Sequence, residues 1–283
     1  GAAKGTGSLS AARRERPRGG GDPIAALPMY DWPELQTSND RFWRAIRANL
    51  AEHRIVAPER LERNLSEAEI WNAPGLVLGQ TCGLPYVLGL KDKVQLLGAP
   101  AYDIACGAGS YYSVIVVHAD SPATGLDNLP GLRFAYNNAR SQSGFSAFGH
   151  TLRKHGRGAD AIGEWMYTGS HRASIRSVAD GASDIASIDA VSWRLAQRHE
   201  PAARMLKVIA KTDPTPGLPF ICARDRRFSA DRIHNAVVEA MAGLDEETRD
   251  DLLLTGFSPM RPKDYAVIES RYKAQPLSLF ANA

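Results

Sequence analysis

The most constraining stretch is "SVIVVH", where Val114, Ile115, Val116 and Val117 follow one another without a polar residue. Side chains alternate across a strand, so a strand apolar on both faces must be covered on both. That predicts a layered α/β molecule with helices packed on either side of a sheet. The rest of the chain supplies such layers. "IAALPMYDW" predicts a short buried strand ending at Pro28, Met29 and Tyr30. "TSNDRFWRAIRANLAEHRI" predicts an amphipathic helix with Phe42, Ile46 and Leu50 on one face and Ser38 or Asn39 as its cap. Further strands are expected in "LVLGQ", "VQLLGAPAY", residues 133–137, residues 184–188, "MLKVIAKT" and "FICA". Helices are expected from about residue 143, over 172–180 with Gly181 ending it, after Asp189 as N-cap, and throughout the chain from Ser229 on. Alternating strands and helices imply largely parallel sheets.

Two Gly- or Pro-rich stretches, 107–113 and 215–219, flank a middle unit and predict two interdomain crossings. The expected division is residues 24–112 plus 218–283 as one discontinuous lobe, 113–217 as an inserted lobe, and 1–23 as an unstructured leader or expression remnant. The leader has no apolar core of a signal peptide, and its Arg13-Arg14 pair is followed by no hydrophobic segment. It also holds much of the positive charge: Lys4, Arg13, Arg14, Arg16 and Arg18 face only Glu15, while the net charge of the whole chain is +3. The body is therefore nearly neutral, and no nucleic-acid partner is expected. No run approaches the roughly 18–20 apolar residues of a membrane span.

Known catalytic patterns are missing: G-x-S-x-G, the phosphate-binding G-x-x-x-x-G-K-[ST], G-x-G-x-x-G and H-E-x-x-H do not occur. Cys82, Cys106 and Cys222 stand apart without a C-x-x-C pair, so buried thiols are expected and a zinc site is not; one disulfide stays arithmetically open. The histidines show no metal-ligand spacing, and neither metal nor cofactor is expected.

Ligands of open α/β sheets bind beyond the carboxyl ends of strands, where helix N-termini offer free N–H groups. Several such junctions carry small polar residues. In "NNARSQSGF", Ser141 and Ser143 supply hydroxyls and Gly144 permits close backbone approach, which suits an acidic group; the alternative is that one serine only caps a helix. Asp189 reads either as an N-cap or as a cleft carboxylate facing an ammonium. Tyr30 reads as a ligand contact or as core, and the turn Gln80-Thr81-Cys82-Gly83 as a source of backbone amides. His171 follows Ser170 in "TGSH", which adjacency alone does not make a catalytic pair. Arg172 and Arg176 share a helical face, as an anion clamp or a solvated surface. Trp165 and Trp193 are expected in the core.

Taken in order, "GQTCGLPY", "YYSVIVVHADSPATGLDNLPGLRFAYNNARSQSG" and "TGSHRASIRSVADGASDIASIDAVSW" resemble the phosphate/phosphonate-binding proteins of ABC transporters, which are type II periplasmic solute-binding proteins. That family shows Y-x-S-x-[IV]-V-V, D-S-P-x-x-x-L-x-D-L-x-G, a serine-rich S-x-S-G loop, T-G-S-H and a strand ending in Asp. The resemblance runs from about Ile24 to the C-terminus. It implies a two-lobed type II fold, each lobe a mixed, mostly parallel sheet flanked by helices, joined by two crossing segments. Ser141, Gln142, Ser143 and Gly144 would hold the acidic head group. His171 would contact it or brace the loop beside Ser170, Asp189 would face the cleft, and Tyr30, Gln80, Thr81 and Cys82 would close over it. Gln142 stands where the family often has threonine, and Arg140 adds a cation. The implied protein is a non-catalytic, periplasmic, monomeric solute-binding component that clamps a small anionic or zwitterionic ligand and delivers it to a membrane permease. Same-fold alternatives are an enzyme of menaquinone- or thiamine-precursor synthesis and a ligand-sensing domain.

Overall fold

The computed structural model describes residues 20–127, 129 and 131–276. Most of the expected leader, up to position 19, and the last seven residues of the first expected lobe lie outside the described residues. Gly20 and Gly21 are tied down: the Gly20 N–H donates to Asp225 at 3.2 Å, and Arg227 donates to the Gly21 carbonyl at 2.9 Å.

The chain starts with β1 (Ile24–Ala26) and a 3-10 turn at Pro28–Tyr30, then α1 (Gln36–Glu52) and the short α2 (Glu67–Trp71). Next come β2 (Leu76–Gln80), α3 (Gly83–Pro85) running into a π-turn at Tyr86–Leu90, and β3 (Val94–Tyr102). The two-residue strand β4 (Ser110–Tyr111) leads into the second sheet, formed with β5 (Ser113–His118), β6 (Leu132–Tyr136), α4 (Ala147–Lys154), β7 (Ile162–Tyr167), α5 (His171–Ala179), β8 (Ile185–Asp189), α6 (Ala190–His199) and β9 (Leu206–Lys211). The return runs through β10 (Thr215–Pro216) to β11 (Phe220–Ala223), α7 (Ala230–Gly243), α8 (Glu246–Asp251), β12 (Leu254–Ser258) and α9 (Ala266–Lys273).

Two five-stranded sheets result, in the orders β1-β2-β11-β3-β12 and β7-β6-β8-β5-β9. Most strands of each sheet share a direction: β1, β2 and β3 in one, β6, β7, β8 and β9 in the other. The strand that enters each sheet from a crossing, β5 or β11, sits inside it and runs against both neighbours, so the pairing is mixed and less parallel than alternation implied. The crossings pair with each other as an antiparallel ribbon, Thr215 with Tyr111 and Pro216 with Ser110.

The opening prediction is met by β5. Ile115 and Val117 pack into one core with Phe134, Phe145, Phe148 and Leu152; Val114 and Val116 pack into the other with Ile175, Val178, Ile188 and Trp193. Burying such a side chain contributes about 1.5–3 kcal/mol each.

Two local expectations are corrected. The segment after Ser229 is not all helical, because β12 pairs antiparallel with β3 at the edge of the first sheet. Neither Ser38 nor Asn39 caps α1: a 3-10 turn at Pro33–Leu35 runs straight into the helix and moves its start upstream. Ser38 instead donates to Asp251 at 2.7 Å, and Asn39 donates to Asp31 at 3.1 Å. The three cysteines are free thiols, with Cys222 buried and Cys82 and Cys106 half-buried.

Candidate functional site

Strands β6, β7 and β8 all end at the same side of the second sheet, and each runs into a capped helical segment. After β6, the Ser141 hydroxyl accepts from the Gly144 N–H at 3.0 Å and starts a π-turn at Gln142–Ser146 that continues as α4. After β7, Gly169 takes a φ of +91°, which glycine adopts without strain, and the Ser170 hydroxyl then accepts from the Ala173 N–H at 3.0 Å to cap α5. After β8, the Asp189 carboxylate accepts from the Ser192 N–H at 2.8 Å and caps α6. Three N-termini with their partial positive charge thereby border one cleft of about 640 Å³ between the two sheets. The second sheet's side contributes Asn137, Ser141, Ser143, Ser170, His171 and Asp189; the first contributes Tyr30, Trp32, Glu67, Trp71, Cys82 and Lys93.

His171 sits at the centre. Its Nε2 is 2.9 Å from the Ser143 hydroxyl and 3.4 Å from Asp189 Oδ2. Ser143 is in turn 3.4 Å from the Ser141 hydroxyl. Burial pushes the imidazole below its ordinary pKa, against the opposing pull of the Asp189 charge, so the ring is neutral at neutral pH. A serine–histidine–aspartate relay uses both ring nitrogens, one toward the hydroxyl and one toward the carboxylate. Here the hydroxyl and the carboxylate meet the same nitrogen, so this geometry forms no relay.

Asp189 serves as cap and cleft carboxylate at once. Tyr30 donates its hydroxyl to Oδ1 at 3.1 Å, and the Ser192 hydroxyl donates to Oδ2 at 2.6 Å. Burial first, and the Asp189 charge second, push the Tyr30 phenol well above its usual pKa, so it remains a donor. No lysine or arginine pairs with Asp189 among the described residues.

Of the twelve residues expected at the site, eight line the cleft: Tyr30, Cys82, Arg140, Ser141, Ser143, Ser170, His171 and Asp189. The other four stand behind its wall. Gln80 donates to Tyr102 and to the Leu218 carbonyl, and the Thr81 N–H donates to the Pro219 carbonyl, which ties the end of β2 to the second crossing. The Gln142 side chain is buried, and its Oε1 finds no partner among the described residues. A Cβ on Gly144 would lie 1.8 Å from Asn137 Oδ1, so any side chain there must turn Asn137 aside. Cys82 lies against the Gln142 backbone, and burial pushes its thiol above the usual range.

Sequence reasoning missed Trp32, Glu67, Trp71, Lys93 and Asn137. Glu67, Trp71 and Lys93 come from segments that carry no junction signal, while Trp32 lies in "IAALPMYDW", two residues past the Tyr30 strand end. Asn137, in the loop after β6, was within reach as a polar residue beside the serines; its buried Oδ1 has no hydrogen-bond partner among the described residues. The arginines of α5 do clamp an anion, but it is the chain's own Glu200, reached by Arg172 at 3.2 Å and also by Arg176. Arg172 further grips Glu34 with two bonds of 2.7 and 2.8 Å and lies over the Trp32 ring at 4.8 Å.

Comparison with known proteins agrees with this architecture. No curated protein sequence matches significantly. Among solved structures, the chain is similar to the binding component of an ABC phosphonate transporter from Pseudomonas aeruginosa (TM-score 0.68, 18% identity, covering 88% of this chain and 86% of that one). PhnD1 from Prochlorococcus marinus in complex with methylphosphonate superposes equally well (TM-score 0.68, 18% identity, 89% and 97% covered). A Xanthomonas citri protein bound to ATP follows at TM-score 0.66, with 16% identity and 92% and 98% covered. Residues 77–265 match the family model of periplasmic phosphonate substrate-binding proteins of ABC transporters. That match spans more than half of the chain and includes the serine loop, the His171 turn and the Asp189 strand end; the chain belongs to this family of periplasmic substrate-binding proteins.

Proposed function

We propose that this chain clamps a small anionic or zwitterionic ligand, of phosphonate type, in the cleft between its two lobes and hands it to a membrane permease without turning it over. The observation that carries the reading is the meeting of three helix starts, capped by Ser141, Ser170 and Asp189, around the Ser143–His171 pair. Hydroxyl, imidazole and helix-start amide groups lining one cleft suit an acidic head group, and helix N-termini favour its charge. Arg140 at the rim adds a cation. Asp189, lacking a cationic partner, suits a ligand amine. Tyr30 and Cys82 would close over the ligand from the first lobe, while Gln80, Thr81, Gln142 and Gly144 would hold the walls in register.

The proposed moving bodies are residues 24–112 plus 218–283 and residues 113–217, hinged at the β4/β10 ribbon; differential contacts in the closed state would drive closure. The protein would work as a monomer in the periplasm. The test is thermal unfolding with methylphosphonate, inorganic phosphate, alkyl sulfonates and simple carboxylates. A ligand present at 100 times its dissociation constant adds about 2.7 kcal/mol of stability. Ser143→Ala is expected to weaken binding of every ligand that binds. Absence of stabilisation by any of these anions would remove the reading's main support, and chemical conversion of a bound ligand would overturn its non-catalytic part.

A further inference from the structure

The cleft, of about 640 Å³, runs on past the head-group residues to Glu67, Trp71 and Gly89 on the first sheet's side. The two sides of the cleft are already in contact around it. Tyr30 already bonds Asp189 at 3.1 Å, Arg172 bonds Glu34 at 2.7 Å, and Gln275 donates to the Ser146 carbonyl at 2.8 Å. Contacts therefore span the two sheets while the space beyond the head-group residues stays open.

The wall on the first sheet's side has its own chemistry. Glu67 and Trp71 stand one turn apart on α2 and both line the cleft. The Trp71 indole N–H donates to the Gln80 carbonyl at 2.9 Å, which holds the ring in place and leaves its carbon surface for a ligand. Glu67 has no hydrogen-bond or ion-pair partner among the described residues. Gly89, in the π-turn, also lines this wall; a Cβ built on it meets nothing within 4 Å, and its φ lies outside the left-handed region.

Resting on the head-group reading above, we propose that Glu67, Trp71 and the space beside Gly89 form a tail subsite, and that the ligand is an acidic head group carrying an extended apolar chain that ends in an amine. The chain lies along Trp71, and its terminal ammonium meets the Glu67 carboxylate, whereas the amine of a short ligand would be held at Asp189. Binding is measured by calorimetry with methylphosphonate, hexylphosphonate and aminohexylphosphonate. Each buried methylene strengthens binding, so hexylphosphonate is expected to bind about tenfold or more tighter than methylphosphonate, and aminohexylphosphonate tighter again. Glu67→Gln removes the gain from the amine and keeps the gain from the chain. Gly89→Leu fills the space and brings the ratio of aminohexyl- to methylphosphonate affinity toward one, with the unfolding midpoint of the unliganded variant as the folding control. Equal affinities for methyl- and aminohexylphosphonate, or an unchanged ratio in Gly89→Leu, would overturn the tail subsite and leave the head-group reading standing. Binding of none of the three would overturn both.

Discussion

Gly144 shows how tightly the serine loop is packed. The position has an ordinary φ, so its glycine answers to space instead of backbone freedom: an added Cβ would fall 1.8 Å from Asn137 Oδ1 and 2.8 Å from its Cγ. Gly144→Ala must push Asn137 aside, and overpacking of this kind costs about 1–3 kcal/mol. We expect urea unfolding to show that loss, and Asn137→Ala to restore much of it in the double variant. A single variant as stable as the parent would show that the contact yields freely. His171 gives a second prediction at this scale. Its folded pKa is lowered by burial, so below the ordinary value of about 6.5 the unfolded chain takes up a proton that the folded chain refuses. Its contribution is therefore fully present above about pH 6.5 and falls as pH drops from there toward the folded pKa. His150, also lowered mainly by burial, adds to the same slope. Replacing His171 with Gln, in a His150→Gln background, should flatten the loss of stability between about pH 6.5 and 5; an unchanged slope would contradict the buried, neutral ring.

Helix ends carry the next prediction. α1 closes with the Ile55 N–H donating to the Leu50 carbonyl at 2.9 Å and the Arg54 N–H to the Ala51 carbonyl at 3.0 Å, the double closure that normally places glycine in the left-handed position. Here that position is Arg54, with φ +61° and an exposed side chain. Arg54→Gly should raise stability by about 0.5–1 kcal/mol in denaturant titrations, since relief of backbone strain exceeds the added entropy of the unfolded chain. No gain would mean that the arginine stem contributes packing of the same size. The other non-glycine left-handed residue among the described residues, Leu253 with φ +57°, is buried, so glycine there would lose more in burial than it relieves. Leu253 also explains what could not be read in advance. The segment "DDLLLTGFS" continues a helical pattern until an unsignalled left-handed turn ends α8, and β12 exists because β3, about 150 residues earlier, offers an edge to pair with. Local signals fared better. Asp189 was legible as cap and Gly181, with φ +83°, as stop because both features lie within a few residues of sequence. The cleft was legible where strand ends carried serine, histidine or aspartate. Trp71 and Glu67 reach it only through the packing of α2 on β1 and β2, which no short motif encodes.

Across the whole molecule, the two halves of the cleft are joined by contacts of very different strength. α6 is shared by both sides: Val191 and Leu195 belong to the first sheet's core, while Trp193 and Ala196 belong to the second's. That burial makes α6 the fixed side of the proposed clamp. The rim is held by charge instead. Arg172 bridges Glu200, on its own side, to Glu34 on the other, and the Arg172 hydrogen bonds hold the Glu34 carboxyl down at about 2. An ion pair this accessible contributes at most about 1 kcal/mol, too little to stabilise the fold but enough to bias an equilibrium between open and closed forms. Glu34→Gln should therefore leave the unfolding midpoint nearly unchanged while weakening ligand affinity by up to about fivefold, chiefly through faster release. The pH dependence has a defined sign. The pair is fully formed above the ordinary carboxyl value of about 4.5 and is lost only as pH falls from there toward about 2, so affinity between pH 5 and 8 should not depend on Glu34 titration. X-ray scattering of the unliganded protein supplies the structural readout: Glu34→Gln should expand the radius of gyration, and ligand should restore it. If the variant scatters like the parent and binds as tightly, then burial of α6 alone holds the lobes together and the rim contact has no part in closure.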